Sequence, residues 1–317
     1  MIFDMFVIPE QDPRNAVEIT RYLDRNGFAG AWLGDSPPIG WGDVYASLAL
    51  CATATERLVL RTGVTNPVSR QPMVTANAIV TIDRLSNGRA QLGIGTGDSA
   101  VRAQGLKPAT IAAVTEYIAE LRRLFAVRGA SMPIYLAASG PKALAAAGRV
   151  ADGALISVGT HPSLVRQALD QVARGAAEAG RNLADIDLAF MAGVAIADTW
   201  AEAKSESVAI TARRAKDAQY HPVFFFPPDL EHLRADASHV ARHYNYGEHL
   251  RADASHGRLV SDRLVDAYTL AGTPSHCATK LAAMHAAGAE HIVLFPSGHD
   301  RLGAMKRFAT EVRPAFS

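Results

Sequence analysis

Five short segments are rich in polar residues or in glycine, a composition typical of loops that approach a ligand closely. The most distinctive is Gly-Thr-Gly-Asp at 95–98, where glycine occupies every second position from residue 93. Glycine lets the backbone turn sharply beside a bulky group, and Asp98 places a carboxylate just past the turn. Alone, this segment fits a plain tight turn as well as a ligand-binding loop. The other segments are Asp35-Ser36, Gly63-Val64-Thr65-Asn66, Ala138-Ser139-Gly140-Pro141 and Ser157-Val158-Gly159-Thr160.

One of these segments, at 138–141, ends where a helix is predicted to begin. The free N–H groups at the start of a helix attract anions, so a phosphate could dock beside Ser139 and Gly140. Proline is also common in the first turn of any helix, so an ordinary helix start explains Pro141 equally well. The pair Asn66-Pro67 is likewise consistent with a simple turn.

The five segments follow short apolar stretches that are typical of buried strands. Between them lie segments with helical spacing, such as 109–125, and several of these end at glycine. Alternating strands and helices indicate a parallel sheet, and continuous apolar runs indicate strands buried on both faces. We predict eight strands, at 3–8, 30–33, 58–64, 90–94, 134–137, 153–157, 188–195 and 291–295.

Eight strand–helix units predict an α/β fold, a closed (β/α)8 TIM barrel forming a single domain over residues 1–317. In this architecture the C-terminal ends of the strands carry the active site. We therefore expect the five segments to share one rim of the barrel.

The segment 214–262 interrupts the alternation of strands and helices and is too long for an ordinary loop. We interpret them as an inserted helical lid before the last helix and strand. They contain the sequence HLRADASH twice, at 232–239 and 249–256. In the first copy and just after it, Asp236, His239 and His243 are spaced to share a helix face. A metal site would need a further ligand, so we predict a solvated insert and no metal. Candidate apolar walls for a substrate are Trp41, Phe224, Phe225 and Phe226, although the same aromatic residues could simply pack the insert.

Charge and polarity exclude several classes of function. The chain has 32 Lys and Arg residues against 31 Asp and Glu residues, without a basic stripe for nucleic acid or an acidic tail. No run of about 18 apolar residues could cross a membrane, and the N-terminus lacks a signal-peptide pattern. Cys51 and Cys277 lie far apart, which favours a reducing compartment. We predict a cytoplasmic protein that binds neither nucleic acid nor membranes.

Four motifs together resemble the bacterial luciferase-like oxidoreductase superfamily. They are GFAGAWLGD, TGVTNPVSRQP, LSNGRAQLGIGTGDSA and PIYLAASGPK. The sequence looks most like the methylenetetrahydromethanopterin reductase-like, coenzyme F420-dependent branch, from residue 3 to about 296. Each motif alone is weak, but the combination is specific.

The resemblance implies a TIM barrel that binds a flavin or deazaflavin, FMN or F420, at the strand C-termini. It also implies a cis peptide bond between Gly63 and Val64, in a bulge that backs the ring together with Thr65 and Asn66. The cofactor tail and its phosphate would lie against Ala138, Ser139, Gly140 and Ser157, and a second contact loop would be Thr96, Gly97 and Asp98. Members of the superfamily are often homodimers.

The sequence departs from the superfamily after the second strand. Many members have Asp-His or Glu-His there, and the histidine is assigned a proton-transfer role, whereas this chain has Asp35-Ser36. Serine cannot act as a base near pH 7. Asp35, a lid histidine or the substrate itself would then handle protons, and our catalytic candidates are Asp35 and Ser36.

The expected activity is two-electron redox chemistry on a small organic substrate, carried by the cofactor. With F420 the reaction would be direct hydride transfer, which we favour. With FMN the reduced flavin would use O2 to oxygenate the substrate, and a separate flavin reductase would supply electrons. The missing histidine also leaves open a non-catalytic flavin-binding protein. A metal-dependent hydrolase barrel fits less well, because its ligands are usually His and Asp at the strand ends.

Overall fold

A computed structural model of the chain describes residues 1–248, 251 and 253–316. The strands among these residues are all parallel and belong to one sheet. They are β1 (Ile2–Val7), β2 (Gly30–Leu33), β3 (Val59–Thr62), β4 (Ala90–Ile94), β5 (Ile134–Ala138), β6 (Gly153–Ile156), β7 (Asp187–Ile196), β8 (Thr269–Gly272) and β9 (His291–Pro296). Strands β1 to β7 pair in chain order, and β9 closes the sheet by pairing with both β7 and β1. The predicted eight-stranded barrel is therefore confirmed.

Helices alternate with the strands around the barrel, as predicted. They are α1 (Arg14–Arg25), α2 (Val44–Ala54), α3 (Pro72–Leu85), α4 (Ser99–Arg102), α5 (Ile111–Val127), α6 (Pro141–Val150), α7 (Pro162–Glu178), α8 (Trp200–Ala218), α9 (Pro222–Phe225), α10 (Arg234–Arg242), α11 (Asp262–Tyr268), α12 (Pro274–Ala286) and α13 (Arg301–Arg307). Their starts follow local chemistry. The Asp43 carboxylate accepts hydrogen bonds from the first N–H groups of α2, and Thr199 and Glu202 form a capping box on α8.

The sequence analysis missed strand β8, which is four residues long and follows directly after α11. Strand β7 is ten residues long, so its first part pairs with β6 and its last part pairs with β8. Strand β8 thus extends the sheet beyond the closed barrel. A short strand beside a helix in a segment interpreted as an insert gives little periodic signal, which explains the omission.

Helix α8 lies across the mouth of the barrel. Its residue Ile210 packs in the barrel interior with Phe6, Leu155 and Phe295. Near its start Glu206 contacts the loop after β9, and near its end Arg214 contacts Ser157 after β6. The helix continues without a break past residue 214, where the predicted insertion begins, to Ala218. The insertion limits of 214–262 and the single-domain assignment stay predictions.

The N-terminal end of the barrel contains a buried polar cluster. Asp4 is fully buried and lies 2.5 Å from Arg61, 2.8 Å from Nε1 of Trp32 and 2.9 Å from Nε2 of His291. The guanidinium of Arg61 also faces the ring of Trp32 at 5.0 Å. Every charge in this cluster therefore has a partner, as burial of a charge requires.

The segment after α8 folds into short helices outside the barrel. Asp236 on α10 accepts a hydrogen bond from Ser261 and pairs with Arg263, so its carboxylate takes part in packing the insert. Of the second HLRADASH copy, residues 249, 250 and 252 lie outside the described residues. Across the described part of the chain, no three His, Cys, Asp or Glu side chains form a potential metal-binding group. Within the same residues, no helix has both the length and the apolar character needed to span a membrane.

Candidate active site

A cleft of about 210 Å³ opens at the C-terminal ends of the barrel strands. Ten of the thirteen predicted site residues line it, contributed by the loops after β2, β3, β4, β5 and β6. They are Asp35, Ser36, Gly63, Val64, Thr96, Gly97, Asp98, Ala138, Ser139 and Ser157. The expectation that the polar strand ends share one rim is met for these residues.

Val64 forms part of the cleft wall, and its packing explains the glycines of the 93–97 segment. The peptide bond between Gly63 and Val64 is cis, as the resemblance implied. A Cβ atom at Gly93 would lie 2.2 Å from the Thr62 carbonyl oxygen and 2.9 Å from Val64. At Gly95 it would lie 3.0 Å from Val64. Glycine at these two positions lets β4 approach the Gly63–Val64 bend closely.

Three predicted residues lie behind the cleft rather than in its wall. Thr65 is fully buried, and Asn66 uses its side-chain oxygen to accept hydrogen bonds from the backbone of Val68 and Ser69. At Gly140 a Cβ atom would lie 2.4 Å from the ring of His221. In this structure Asn66 stabilises a turn, and Gly140 makes room for the His221 ring.

Asp35 is a buried carboxyl group at the edge of the cleft. Its side chain is 2% exposed, and its nearest cation is Arg70, 3.8 Å away. Arg70 in turn pairs with Asp43 at 2.9 Å and faces the ring of Tyr45 at 4.6 Å. Burial raises the pKa of Asp35 above its ordinary value, and the charge of Arg70 offsets this only in part. Asp35 therefore keeps its proton to higher pH than an ordinary aspartate and can donate it to a bound molecule.

Another part of the cleft wall is apolar. It is formed by Phe6, Trp41, Leu155, Met191 and Phe295, side chains from β1, β6, β7, β9 and the loop after β2. The rings of Phe6 and Phe295 lie 4.7 Å apart. Trp41 is thus in the wall as predicted.

The aromatic residues of α9 lie elsewhere. Phe224, Phe225 and Phe226 are buried in the large core outside the barrel and do not line the cleft. Of the two interpretations of this run, packing of the insert is the one that the structure supports, because the short helix α9 directs the rings into the buried core.

The sequence analysis also missed a group of cations at the end of α8. Arg213 lines the cleft, and Arg214 donates a hydrogen bond to the Ser157 hydroxyl. Lys216 lies 2.8 Å from Asp217 and 3.7 Å from Asp98. The signal for this group is the run Arg-Arg-Ala-Lys-Asp at 213–217, of which residues 214–217 fall inside the segment interpreted as a solvated lid.

This chain is similar over nearly its whole length to several known proteins. The chain is 30% identical to the 5,10-methylenetetrahydromethanopterin reductase of Methanolobus tindarius, over 98% of this chain and 99% of that protein. It is 27% identical to the F420-dependent glucose-6-phosphate dehydrogenase of Rhodococcus erythropolis, over 95% of this chain and 93% of that one.

Among solved structures, the coenzyme F420 dependent tetrahydromethanopterin reductase from Methanopyrus kandleri has the same fold. It superposes with a TM-score of 0.80 at 23% identity and covers 100% of this chain and 99% of that chain. The family model described as luciferase-like monooxygenase matches residues 1–291. These findings confirm the resemblance in the four sequence motifs, and the chain belongs to the luciferase-like monooxygenase family.

Proposed function

We propose that this protein is an oxidoreductase that uses reduced F420 to transfer a hydride to a small organic substrate. The observation that carries the proposal is the cleft itself, which has one apolar wall, a buried carboxyl group and a cationic end. F420 dependence is part of the names of two of the relatives described above. The cofactor and its chemistry are thus inferred from likeness, and the residue roles from the geometry.

The cleft fits a flat ring with a charged side chain. Val64 and Met191 offer apolar contact for a ring, and the hydroxyl groups of Ser139 and Ser157 offer hydrogen bonds to a polar chain. Arg213 adds a positive charge in the wall. Bound F420 in its reduced form supplies the hydride from its deazaflavin ring. The protein supplies orientation, exclusion of water and a proton.

Asp35 is the residue that we assign to proton transfer. It lies at the cleft beside Ser36, and burial keeps its proton on at higher pH than usual. Substrates that accept a hydride on carbon develop negative charge on a neighbouring heteroatom, which a nearby acid neutralises. In this proposal Asp35 does the work that a histidine after the second strand does in many members of the superfamily.

Equilibrium titration with F420 and with FMN, each oxidised and reduced, tests the proposal. We expect micromolar binding of F420 and much weaker binding of FMN. Tighter binding of reduced FMN would replace the proposal by an O2-dependent monooxygenase served by a separate flavin reductase. Binding without turnover of any acceptor would support a non-catalytic flavin-binding protein, and binding of neither cofactor would refute both.

A matched pair of variants places the binding site. Val64→Glu puts a carboxylate into the cleft wall, and Val127→Glu makes the same change at a site that is 72% exposed at the end of α5. We expect loss of F420 binding only in Val64→Glu, with both variants folded by circular dichroism. Equal F420 binding by the two variants would show that the cofactor ring does not lie against Val64.

We further propose a homodimer that forms through α2 and α3. Helix α2 contains no charged residue, although surface helices normally carry a charged outer face. Leu50 on α2 is 44% exposed, and Val74 on the neighbouring α3 is 52% exposed. Light scattering should give twice the chain mass for the native protein and a smaller mass for Leu50→Glu. A native monomer at micromolar concentration would refute this. The predicted cytoplasmic location stays a prediction.

A further inference from the structure

The end of helix α8 holds three cations within four residues, at the mouth of the barrel. They are Arg213, Arg214 and Lys216, which we call the α8 cation cluster. The Arg214 side chain is only 7% exposed. A buried guanidinium is unfavourable unless charges and hydrogen bonds surround it, so its partners need to be accounted for.

The contacts of Arg214 with the described residues leave one of its buried N–H donor groups without a hydrogen bond. One Nη atom donates to the hydroxyl of Ser157, and that residue lines the cleft. The other, Nη1, is buried and has no hydrogen-bond partner among the described residues. Its nearest carboxylate oxygen belongs to Asp217, 3.9 Å away, which is beyond hydrogen-bond distance. A buried charged donor without an acceptor is rare in a folded protein.

The carboxylate of Asp217 lies near all three cations of the cluster. Asp217 lies 2.8 Å from Lys216, 3.7 Å from Arg213 and 3.9 Å from Arg214. Lys216 also lies 3.7 Å from Asp98, but Asp98 pairs more closely with Arg102, at 2.6 Å. Among the described residues, the ion pairs of Arg213 and Arg214 both lead to the one carboxylate of Asp217.

The position and chemistry of the cluster match a phosphate group. Arg213 lines the cleft directly, and Arg214 reaches its wall through Ser157. A guanidinium presents a planar fork of N–H donors that suits phosphate oxygens. Because Ser157 and Ser139 belong to the same wall, an anion there would meet hydroxyl groups as well as guanidinium groups.

We propose that the α8 cation cluster binds the phosphate in the side chain of the redox cofactor, and that it selects phosphate-bearing cofactors over their phosphate-free forms. This inference rests on the proposed function, in that it assumes a flavin or deazaflavin in the cleft. In this proposal helix α8 binds the cofactor phosphate together with the loops at the strand ends.

The test compares two ligands that differ in the phosphate-bearing tail. These are F420 and the deazaflavin nucleoside that has the same ring and ribityl chain but lacks the phosphate and glutamates. We expect Arg214→Met and Arg213→Met each to weaken F420 binding by about 10- to 100-fold, the range for a charge-assisted hydrogen bond. Their affinity for the nucleoside should stay within about twofold of the native protein. The Arg213 variant keeps the test valid if loss of the buried Arg214 impairs folding.

Lys204→Met is the matched control. Lys204 is another cation of α8, but it pairs with Asp262 at 2.5 Å and does not line the cleft. It should bind both ligands like the native protein. Equal losses of F420 and nucleoside binding in the arginine variants would overturn the proposal in favour of a structural role, and unchanged F420 binding would overturn it outright.

The same design separates this inference from the proposed function. If the native protein binds FMN and not F420, the F420 assignment fails, and the comparison becomes FMN against riboflavin in the same variants. A preference for FMN that disappears in Arg213→Met and Arg214→Met would then support the cluster as a phosphate site. A native protein that binds none of the four ligands would overturn both proposals.

Discussion

Raising the pH from 6 to 10 should destabilise this barrel through one buried histidine. His291, the first residue of β9, lies between two carboxylates, with Nε2 2.9 Å from Asp4 and Nδ1 3.0 Å from Asp187. Its side chain is 4% exposed. Burial alone lowers the pKa of His291, but the hydrogen bonds and charges of Asp187 and Asp4 outweigh burial and raise the pKa to about 9.

The sign and size of the effect follow from linkage between protonation and folding. Because the folded-state pKa of His291 lies above the unfolded value of about 6.5, the charged histidine contributes its full stability below pH 6.5. That contribution is lost as the pH rises through 9. A difference of about 2.5 pKa units, at about 1.36 kcal/mol per unit, corresponds to about 3 kcal/mol between pH 6 and pH 10.

Urea unfolding at a series of pH values, followed by tryptophan fluorescence, measures this contribution. His291→Gln should be less stable than the native protein at pH 6, and the difference should shrink by about 3 kcal/mol as the pH rises to 10. His285→Gln, at an exposed position near the end of α12, should follow the native curve. A constant difference between His291→Gln and the native protein at all pH values would refute the reasoning, because only loss of packing would then separate them.

Three further predictions concern the cleft. Asp35→Asn should lower turnover by about 100-fold or more and remove the decline of activity at high pH that ionisation of Asp35 causes, as a pH–rate profile would reveal; an unchanged profile would exclude Asp35 as the acid. Gly97 has a φ of +81°, and a Cβ there would lie 2.5 Å from Val101, so Gly97→Leu should weaken F420 binding at least tenfold while circular dichroism stays native; native affinity would remove this loop from the site. Ser139→Asp should repel the cofactor phosphate and weaken F420 binding about tenfold, whereas Ser139→Ala should change it little; equal titration curves for the two would place the phosphate elsewhere.

The barrel and most of its rim could be predicted from sequence because both depend on local patterns. Short apolar runs alternate with helical segments, and five of the runs end in glycine or polar residues, so the order of the elements also shows on which end of the barrel these residues lie. The sequence could not show a role that depends on a neighbour distant in the chain. Gly140 was predicted as a phosphate contact, which stays a prediction, and the structure adds that its small size makes room for the ring of His221, 81 residues later in the chain.

Helix α8 could not be placed from sequence for the same reason. Its residues 200–218 have the composition of an ordinary amphipathic helix, and nothing local indicates that it crosses the barrel mouth. Ile210 packs with the interior side chains of the barrel and lies against Gly193 of β7, where a Cβ atom would be 2.9 Å from it. The run at 213–217 therefore looked like a solvated face until the structure placed Arg214 against Ser157.

The proposed proton donor and the proposed phosphate site lie at different parts of the cleft, and this separation has a consequence that can be measured. The α8 cation cluster lies beside the loops after β4 and β6, whereas Asp35 lies in the loop after β2, beside an apolar wall that contains Trp41. If α8 holds the cofactor phosphate as proposed, the ribityl chain would separate that phosphate from the reacting ring, so the cluster would act on binding of the cofactor. We therefore expect variants of Arg213 and Arg214 to raise the cofactor dissociation constant and leave turnover at saturation unchanged, and Asp35→Asn to do the reverse. If a variant of Arg213 or Arg214 lowered turnover at saturating cofactor, helix α8 would also position groups at the end of the cleft where the reaction takes place.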